Sequence, residues 1–300
     1  MQRRLLFLLN PRAGVQTGKP LIKIIEERCA ASHFQFEVCN SSADGNYEWL
    51  REKIVKEKFT DVVIAAGDGT ISAIASSILD LNIHIGIIPR GSGNGLALAA
   101  GISKNPYKAL DIIFKGNSLL VDAFTINNQF SCMLSGIGFD AQVAHDFANK
   151  SARGLFTYTQ QSLFHYFKAH PYQFEVILEK FSFFTDAFLI CVANSNQFGN
   201  NVTIAPQASL KDGLLDIVIV QKMNKARLPF AVLKQIRGNN ILEQLVENVS
   251  KKNVLYFQAD KLTIRNFKHA PFHVDGEPRA MEEEYKIQIL PQCFKLLQPE

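Results

Sequence analysis

The N-terminal part of the chain alternates short apolar runs with stretches of helical periodicity. The apolar runs are RRLLFLLN (3–10), FQFEVCN (34–40), DVVIAAG (61–67) and IHIGIIPR (83–90). The helix-like segments between them are PLIKIIEERCAAS (20–32), YEWLREKIVKEK (47–58) and TISAIASSIL (70–79). Short apolar strands separated by helices are typical of a parallel sheet that is covered on both faces. The sequence therefore predicts an α/β domain over residues 1–122.

After Asp122 the candidate strands follow one another at turn-like spacing. They are DAFTINNQFSCML (122–134), YQFEVILEK (172–180), AFLICVANS (187–195), GLLDIVIVQ (213–221), DKLTIRNF (260–267), FHVDGEP (272–278) and YKIQILPQ (285–292). Two predicted helices, over 154–170 and 226–249, interrupt them. This pattern indicates an antiparallel sheet or sandwich. We predict a second, β-rich domain over residues 123–290, with a tail of about 291–300 that packs back on the first domain.

The composition narrows the classes of partner. The net charge is +4 and the Lys and Arg residues form no dense cluster, which argues against nucleic acid and favours an anionic small ligand or an acidic membrane surface. No apolar stretch reaches about 18 residues, so no transmembrane helix is predicted. The five cysteines are scattered without a CxxC pair, which indicates a reduced, cytoplasmic protein without structural zinc.

Four loops that follow the apolar runs are rich in Gly, Ser, Thr and Asn. They are NPRAG (10–14), SSADG (41–45), AGDGT (66–70) and RGSGNG (90–95). In a parallel sheet they share the carboxyl edge, where free N–H groups and helix N-termini favour phosphate. Each loop alone is better explained as a turn and helix cap, but together they indicate a phosphate site with room at Gly67 and Gly69. Because the carboxylate of Asp68 would repel phosphate, the site predicts Mg²⁺.

Motifs in a fixed order along the chain resemble those of a known enzyme family. The similar segments are NPRAG (10–14) to NPxxG, AGDGT (66–70) to GGDGT, PRGSGN (89–94) to PxG[ST]xN, RGLFTY (153–158) to GxxxY, KDGLLD (211–216) to DGxLD and VDGEP (274–278) to DGE. The set resembles the diacylglycerol kinase catalytic family, in particular its bacterial lipid kinases related to sphingosine and ceramide kinases. Ala66 departs from the first Gly of GGDGT, Gly95 stands where many members have Asp, and GSGN (91–94) is closer to the sphingosine kinase form.

The resemblance implies a fold and an activity. The fold is a Rossmann-like α/β domain followed by a mostly antiparallel β-sandwich, with the active site in the cleft between them. The activity is ATP- and Mg²⁺-dependent phosphorylation of a hydroxyl on a diacylglycerol-like or sphingoid-type lipid, by a cytoplasmic enzyme that contacts the membrane surface transiently. A homodimer is left open. Two alternatives also stay open: an NAD kinase, which shares the GGDG loop, and a non-catalytic nucleotide-binding lipid sensor.

The resemblance also implies which residues form the site. The residues that it assigns to ATP are Asn10, Pro11, Arg12, Ala13, Gly14, Ser41, Ala66, Gly67, Asp68, Gly69, Thr70, Ile71, Ser72, Ser92 and Asn94. It makes Asp68 the residue that holds or orients Mg²⁺, and Glu277 the general base, with Asp275 as the substitute candidate. The residues alone favour another interpretation of the last two, because Asp-Gly is a strong signal for a type I′ hairpin that Glu277 would merely flank.

The segment ASLKDGLLD (208–216) offers a second cation site. A carboxylate with nearby backbone carbonyls is an all-oxygen set that suits Mg²⁺. The resemblance implies the carboxylate of Asp212 together with the carbonyls of Ser209 and Leu214, in a structural or allosteric role. Another Asp-Gly turn is the alternative interpretation.

Histidine and phenylalanine are given mainly structural roles. The seven histidines, His273 among them, have no ligand spacing, so we predict core or surface positions for them. The 23 phenylalanines, including Phe156, Phe164, Phe167 and FSFF (181–184), are interpreted mainly as core residues. An acyl-chain groove or a membrane-facing patch is the alternative.

Overall fold

A computed structural model of the chain describes residues 3–11, 13, 19–42, 44–142, 170–199, 202–223 and 253–300. The chain forms two compact units. One consists of Met1–Asp122, Gly199–Asn201 and Gln292–Glu300, and the other of Ala123–Phe198 and Val202–Pro291. Several predictions lie outside the described residues: the helices over 154–170 (apart from His170) and 226–249, the segment RGLFTY (153–158), and Phe156, Phe164 and Phe167.

The first unit alternates strands and helices, as the apolar pattern predicted. Its elements are β1 (Arg4–Leu9), α1 (Leu21–Ala31), β2 (Gln35–Asn40), α2 (Glu48–Glu57), β3 (Asp61–Ala66), α3 (Asp68–Ser77), β4 (His84–Pro89), α4 (Gly95–Ala99) and α5 (Pro106–Lys115). The strands lie in the order β4-β3-β1-β2, and each neighbouring pair is parallel. The prediction of an α/β unit with a parallel sheet is confirmed, and the carboxyl ends of all four strands lie at one edge.

Strand β3 is buried at every position, which fits an interior strand of a parallel sheet. Its one charged residue is Asp61, which is 0% exposed. The Arg3 guanidinium donates to this carboxylate from Nη2 (2.6 Å) and Nε (3.1 Å), and the Thr60 hydroxyl donates at 2.6 Å. A buried carboxylate is tolerated when it is paired and hydrogen-bonded in this way.

Helix α5 was not among the predicted elements, although its ends carry ordinary signals. Asn105 caps the first turn by accepting hydrogen bonds from the backbone N–H groups of Tyr107 (2.9 Å) and Lys108 (3.4 Å). Pro106 occupies the first helical position, and Gly116 ends the helix with φ of 79°. Polar caps, N-terminal proline and C-terminal glycine are the residues that helix ends prefer.

The described part of the second unit consists mainly of strands. Together with the strands that cross its boundaries, the elements are β5 (Ser118–Ile126), β6 (Gln129–Ser131), β7 (Leu134–Gly138), β8 (Tyr172–Ile177), β9 (Ser182–Ala193), β10 (Gln197–Gly199), β11 (Val202–Thr203), β12 (Leu215–Gln221), β13 (Val254–Ala259), β14 (Lys261–Asn266), β15 (Phe272–Val274), β16 (Glu277–Arg279) and β17 (Glu284–Leu297). The pairs β7–β9, β8–β9, β9–β12, β12–β13, β8–β14, β14–β17, β7–β15 and β15–β16 are all antiparallel. The predicted antiparallel β-rich unit is therefore confirmed.

Strand β9 organises the second unit. Its first half pairs with β8, and its second half pairs with β7 on one side and β12 on the other. Inward-facing side chains from these strands and from β13, β14, β15 and β17 form one apolar cluster, which includes Phe174, Ile190, Phe257, Phe272 and Tyr285. The cluster holds together the strands from which the hairpin of β15 and β16 projects.

The FSFF segment divides between core and surface. Phe181 and Phe183 pack against the apolar cluster of the second unit. Phe184 is 64% exposed, and its ring stacks on Phe267, which is 48% exposed, with 6.1 Å between the ring centroids. The interpretation as core residues holds for Phe181 and Phe183 and is wrong for Phe184.

The last residues of the chain belong to the first unit. Lys295 and Leu296 of β17 pair in parallel with His84 and Ile85 of β4. Leu296 is fully buried, and the backbone N–H that follows β17 at residue 298 donates to the carbonyl of Asn117 at 3.1 Å. The end of β17 thus supplies a strand beside β4 in the sheet on which the four glycine-rich loops sit.

Candidate active site

The four predicted loops begin side by side at the carboxyl edge of the first unit's sheet. The backbone N–H of Ser41 donates to the carbonyl of Leu9 at 2.8 Å, and that of Arg90 donates to Ala66 at 3.0 Å. These bonds extend the parallel ladder beyond the strand ends. The first residues after β1, β2, β3 and β4 are Asn10, Ser41, Gly67 and Arg90. The prediction that the loops share one edge is confirmed.

Two of the loops touch through their glycines. A Cβ atom on Gly91 would lie 2.6 Å from the Cα of Gly67, and a Cβ on Gly67 would lie 3.1 Å from the Cα of Gly91. Side chains at these positions would therefore force the two backbones apart. The close contact with Gly91 gives Gly67 a packing reason of its own, and room for phosphate at Gly67 and Gly69 stays a prediction.

Asn94 shapes the loop that contains Gly91. Its Oδ1 accepts from the N–H of Gly91 at 2.8 Å, and its Nδ2 donates to the carbonyl of Gly91 at 2.6 Å. Asn94 is 2% exposed and adopts a left-handed backbone conformation, with φ of 58°. Its side chain is thus engaged with the loop itself, so an effect of Asn94 on ATP would act through loop shape.

Asp68 lies at the start of α3 and connects the same two loops. Its Oδ2 accepts from the backbone N–H of Gly95, the first residue of α4, at 3.2 Å. On the other side of the helix start, the Asn10 amide donates to the Thr70 hydroxyl at 3.4 Å. The NPRAG, AGDGT and RGSGNG loops are therefore linked by polar contacts around the N-terminus of α3.

The remaining residues assigned to ATP fall into groups of different exposure. Ala66, Ile71 and Ser72 are buried, so they offer a ligand little beyond backbone groups. Ser92 is exposed at the tip of its loop. The guanidinium of Arg90, a residue not assigned to the site from the sequence, donates to the carbonyl of Ala13 at 3.4 Å. Pro11, like Ser92, is exposed, whereas Arg12 and Gly14 lie outside the described residues.

In the second unit, the predicted base lies on a tight hairpin. Val274 of β15 pairs with Glu277 of β16, and the two residues between them, Asp275 and Gly276, both have positive φ, 50° and 79°. Two consecutive residues with positive φ identify the type I′ hairpin that the sequence offered as the alternative. Glu277 is exposed immediately after the turn, and its role as the base stays a prediction.

Asp275 anchors this hairpin. Its Oδ1 accepts hydrogen bonds from the Ser131 hydroxyl (2.7 Å) and from the backbone N–H groups of Leu134 (3.1 Å) and Met133 (3.2 Å). Asp275 is 7% exposed. A buried carboxylate oxygen with three donors is a structural acceptor, which makes Asp275 less suitable than Glu277 as a base.

A second polar group behind the hairpin was missed from the sequence. His273 accepts from the N–H of Gly276 through Nδ1 at 3.2 Å, and its Nε2 lies 3.3 Å from Oδ2 of Asp140. Both side chains are buried. His273 was predicted as a core or surface residue, which its burial bears out, but nothing in the sequence links it to Asp140, 133 residues away.

The predicted second cation site forms a local turn. The Asp212 Oδ1 accepts from the N–H of Leu214 at 3.1 Å, and Gly213 has φ of 72°. The Ser209 hydroxyl accepts from the N–H of Lys211 at 3.4 Å. These contacts agree with the Asp-Gly turn, and a cation held by the Asp212 carboxylate stays a prediction.

Asp216, at the end of the same motif, is fully buried. Burial raises the pKa of its carboxyl from 3.8 to about 6, even though hydrogen bonds from Tyr256 and Gln258 lower it. The Tyr256 hydroxyl donates to Oδ1 and the Gln258 amide donates to Oδ2. Burial and the neighbouring carboxylate raise the pKa of Tyr256, so the tyrosine remains the donor of this pair.

The described residues could hold Mg²⁺ only if a phosphate ligand supplied further oxygen atoms to the ion. Among them, no group of three His, Cys, Asp or Glu side chains could hold a metal ion. Mg²⁺ commonly takes one or two carboxylates and completes its shell with phosphate and water oxygens. Asp68, whose carboxylate lies between two glycine-rich loops, fits that role.

Within the described part of the chain, no helix has the length and apolar character to cross a membrane.

Two protein-family models match the chain in succession. The diacylglycerol kinase catalytic domain matches residues 4–126, and the YegS C-terminal NAD kinase beta sandwich-like domain matches residues 134–298. A parallel α/β unit with glycine-rich loops, followed by an antiparallel β unit of this type, defines a two-domain lipid kinase fold. The chain belongs to the diacylglycerol kinase catalytic family, in the group that carries the YegS C-terminal domain. Both the recognised family and the predicted fold class are confirmed.

Curated relatives match over nearly the full length. The diacylglycerol kinase of Staphylococcus carnosus strain TM300 is 24% identical over 281 residues, 92% of this chain and 89% of the relative. The diacylglycerol kinase of Bacillus subtilis strain 168 is 22% identical over 280 residues, with 92% and 90% covered. A Chromohalobacter salexigens protein named "Probable lipid kinase YegS-like" is 28% identical over 279 residues, with 91% and 86% covered.

Solved structures share the fold. Two structures from Bacillus anthracis strain Sterne, one of them described as a diacylglycerol kinase, superpose with TM-scores of 0.80 and 0.72. Each is 19% identical to this chain, and the matches cover 99% of this chain and 97% of the other. At this identity the likeness speaks for the fold alone.

Proposed function

We propose that the protein is an ATP- and Mg²⁺-dependent lipid kinase, which transfers the γ-phosphate of ATP to a hydroxyl of a diacylglycerol-like or sphingoid-type lipid. The observation that carries the proposal is the backbone contact between Gly67 and Gly91, because it joins two glycine-rich loops beside Asp68. Membership of the family, together with relatives named as lipid kinases, supports a lipid as the acceptor.

The first unit would bind the nucleotide phosphates. The first N–H groups of α3, including those of Gly69 and Thr70, have no partner within the helix, and a helix N-terminus favours phosphate. Asp68 would hold the Mg²⁺ that accompanies ATP. When bound, the ion would offset the charge that develops on the transferred phosphoryl group.

The second unit would activate the acceptor. The oxygen of the lipid hydroxyl attacks the γ-phosphorus and forms a new P–O bond, while the bond from the γ-phosphorus to the bridging oxygen breaks. ADP leaves with the electron pair of that bond. The exposed carboxylate of Glu277 takes the proton of the hydroxyl as general base.

Transfer of labelled phosphate tests the activity and the alternatives together. The purified protein is incubated with γ-labelled ATP and Mg²⁺, in separate reactions with diacylglycerol, a sphingoid base, ceramide, phosphatidylglycerol and NAD. We expect label in a lipid. Label in NAD would instead establish an NAD kinase, and binding of ATP without label in any acceptor would indicate a non-catalytic sensor.

Glu277→Gln tests the base. The change keeps the size of the side chain and removes its basicity, so we expect kcat to fall by about 10² to 10⁴-fold, with little change in KM for ATP. Glu283→Gln is the matched control, because Glu283 is also exposed and contacts Asn266 through its backbone carbonyl, which the substitution keeps. A Glu277→Gln enzyme within a few-fold of wild type would remove Glu277 from the mechanism.

Asp68→Asn tests the cation link. We expect kcat to fall by roughly 10² to 10³-fold, and the Mg²⁺ concentration that gives half-maximal rate to rise. Asp80→Asn serves as control, because Asp80 is exposed and pairs with Arg51 on the surface. Equal Mg²⁺ dependence in wild type and Asp68→Asn would contradict the assignment.

Transient contact with a membrane surface is part of the proposal, since the acceptor resides in a bilayer. The net charge of +4 favours anionic lipids. We expect the protein to sediment with phosphatidylglycerol vesicles at low ionic strength, and to be released by salt. Equal sedimentation with phosphatidylcholine vesicles would argue against an electrostatic contact.

A further inference from the structure

The buried pair behind the hairpin of the second unit has no part in the chemistry described above. Asp140 is 5% exposed and His273 is 2% exposed. The pair is continuous with the turn, because Nδ1 of His273 accepts from the N–H of Gly276 at 3.2 Å while Nε2 lies 3.3 Å from Oδ2 of Asp140. Glu277 is the next residue after Gly276, so the chain of contacts ends one peptide bond from the proposed base.

The hydrogen bonds define the tautomer of His273. Nδ1 accepts from an N–H group, so it carries no proton, and the proton of the neutral ring is therefore on Nε2. Nε2 then donates to the carboxylate of Asp140, which fixes the plane of the ring. The other oxygen of Asp140 accepts from the N–H of Ala141 at 2.9 Å, so the carboxylate is held in turn.

The sheet makes space for this pair. A Cβ on Gly136 would lie 1.9 Å from Oδ2 of Asp140 and 2.5 Å from Nε2 of His273, so β7 accepts the pair only because this position is glycine. A buried carboxylate and a buried imidazole are costly to desolvate, and apolar side chains would fill the same volume at lower cost.

An Asp-Gly hairpin does not require such support. Type I′ turns form readily from the local sequence alone. In this protein both central residues of the turn are held from behind, Asp275 by donors from Ser131, Met133 and Leu134, and Gly276 by His273. The double attachment restricts the direction in which the following residue, Glu277, leaves the turn.

We propose that His273, oriented by Asp140, is a positioning residue that fixes the Asp275–Gly276 turn and thereby the direction of the Glu277 carboxylate. The proposal rests on the proposed function to the extent that Glu277 is the base. Small displacements of a catalytic group lower the rate of the chemical step far more than they change binding of the nucleotide.

Two substitutions at His273 separate positioning from simple packing. His273→Asn places an amide oxygen near the position of Nδ1 and keeps the acceptor for Gly276. His273→Gln places its amide near the position of Nε2 and loses that acceptor. We expect kcat of His273→Gln to fall by about 10- to 100-fold with KM for ATP unchanged, and His273→Asn to retain activity within about threefold of wild type. His269→Gln, at an exposed histidine, is the matched control.

Amide hydrogen exchange gives a readout that does not depend on catalysis. We expect the N–H of Gly276 to be protected in wild type and in His273→Asn, and to exchange about tenfold faster in His273→Gln, which corresponds to a loss of about 1.4 kcal/mol. Equal losses of kcat in the two His273 variants, or unchanged exchange at Gly276 in His273→Gln, would overturn the proposal. If the wild-type protein phosphorylates no lipid, the proposed function fails, and exchange at Gly276 alone then decides whether His273 holds the turn.

Discussion

The buried carboxylate of Asp216 makes stability depend on pH in a way that Asp216→Asn should remove. Asp216 is fully buried, and burial raises its pKa from 3.8 to about 6. An asparagine at this position keeps the shape of the side chain, and its amide oxygen can still accept from the Tyr256 hydroxyl. The substitution therefore removes the ionisation and leaves most of the packing in place.

The sign of the effect follows from proton binding. Because the pKa of Asp216 is higher in the folded protein than in the unfolded chain, the folded state holds more protons between about pH 4 and pH 6. The free energy of unfolding must then fall as the pH rises through that window. Integration between pH 4.5 and pH 7.5 with pKa values of 3.8 and about 6 gives a loss of about 2 kcal/mol in wild type. Asp216→Asn lacks this loss.

Urea unfolding at several pH values measures the difference. Wild type and Asp216→Asn are unfolded at about pH 4.5, 5.5, 6.5 and 7.5, and the free energies are compared at each pH. We expect the variant to gain about 2 kcal/mol relative to wild type between the lowest and highest pH. Asp186→Asn, at an exposed position of β9, is the control. It keeps Asp216, so its free energy of unfolding should change with pH as that of wild type does. A difference between variant and wild type that stays constant within about 0.5 kcal/mol over this pH range would show that Asp216 does not cause the pH dependence.

Two further predictions concern the first unit. Gly91→Ala places a Cβ 2.6 Å from the Cα of Gly67, so we expect a loss of about 1–3 kcal/mol in thermal or urea unfolding together with weaker ATP binding; unchanged values for both would contradict the close contact. Arg3→Met leaves the carboxylate of Asp61 buried with fewer donors, and we expect a loss of about 3–5 kcal/mol. Arg4→Met should cost less than about 1 kcal/mol, because the partner of Arg4 is partly exposed, and equal losses in the two variants would refute the distinction.

The framework of the first unit could be predicted because its signals are local. The run DVVIAAG predicted β3 to within one residue, since every position of Asp61–Ala66 is buried and an uninterrupted apolar run identifies such a strand. Helix α5 could have been predicted by the same logic from Asn105, Pro106 and Gly116, which carry its capping signals. In the second unit, strand β13 was not predicted. It pairs with β12, and no local pattern specifies that pairing.

The details of the candidate site depend on contacts between distant residues. The sequence predicted that Gly67 matters but not its contact with Gly91, because Gly91 belongs to another loop. The Asp-Gly hairpin before Glu277 was predictable from two adjacent residues, whereas the support from Asp140 comes from 133 residues earlier in the chain. Local turn chemistry can be read from sequence, and the groups that hold a turn in place cannot.

The pairing of β17 with β4 has a consequence for how the chain is made. The strand that pairs with β4 opposite β3 comes from the end of β17, within Gln292–Glu300. A ribosome releases the N-terminal segment first, so residues 1–122 emerge long before their sheet can be completed. Until the residues of β17 have been made, the free edge of β4 is open to wrong partners. Removal of the nine residues from Gln292 to Glu300 should therefore lower the yield of folded protein, because the N-terminal unit loses the strand that pairs with β4.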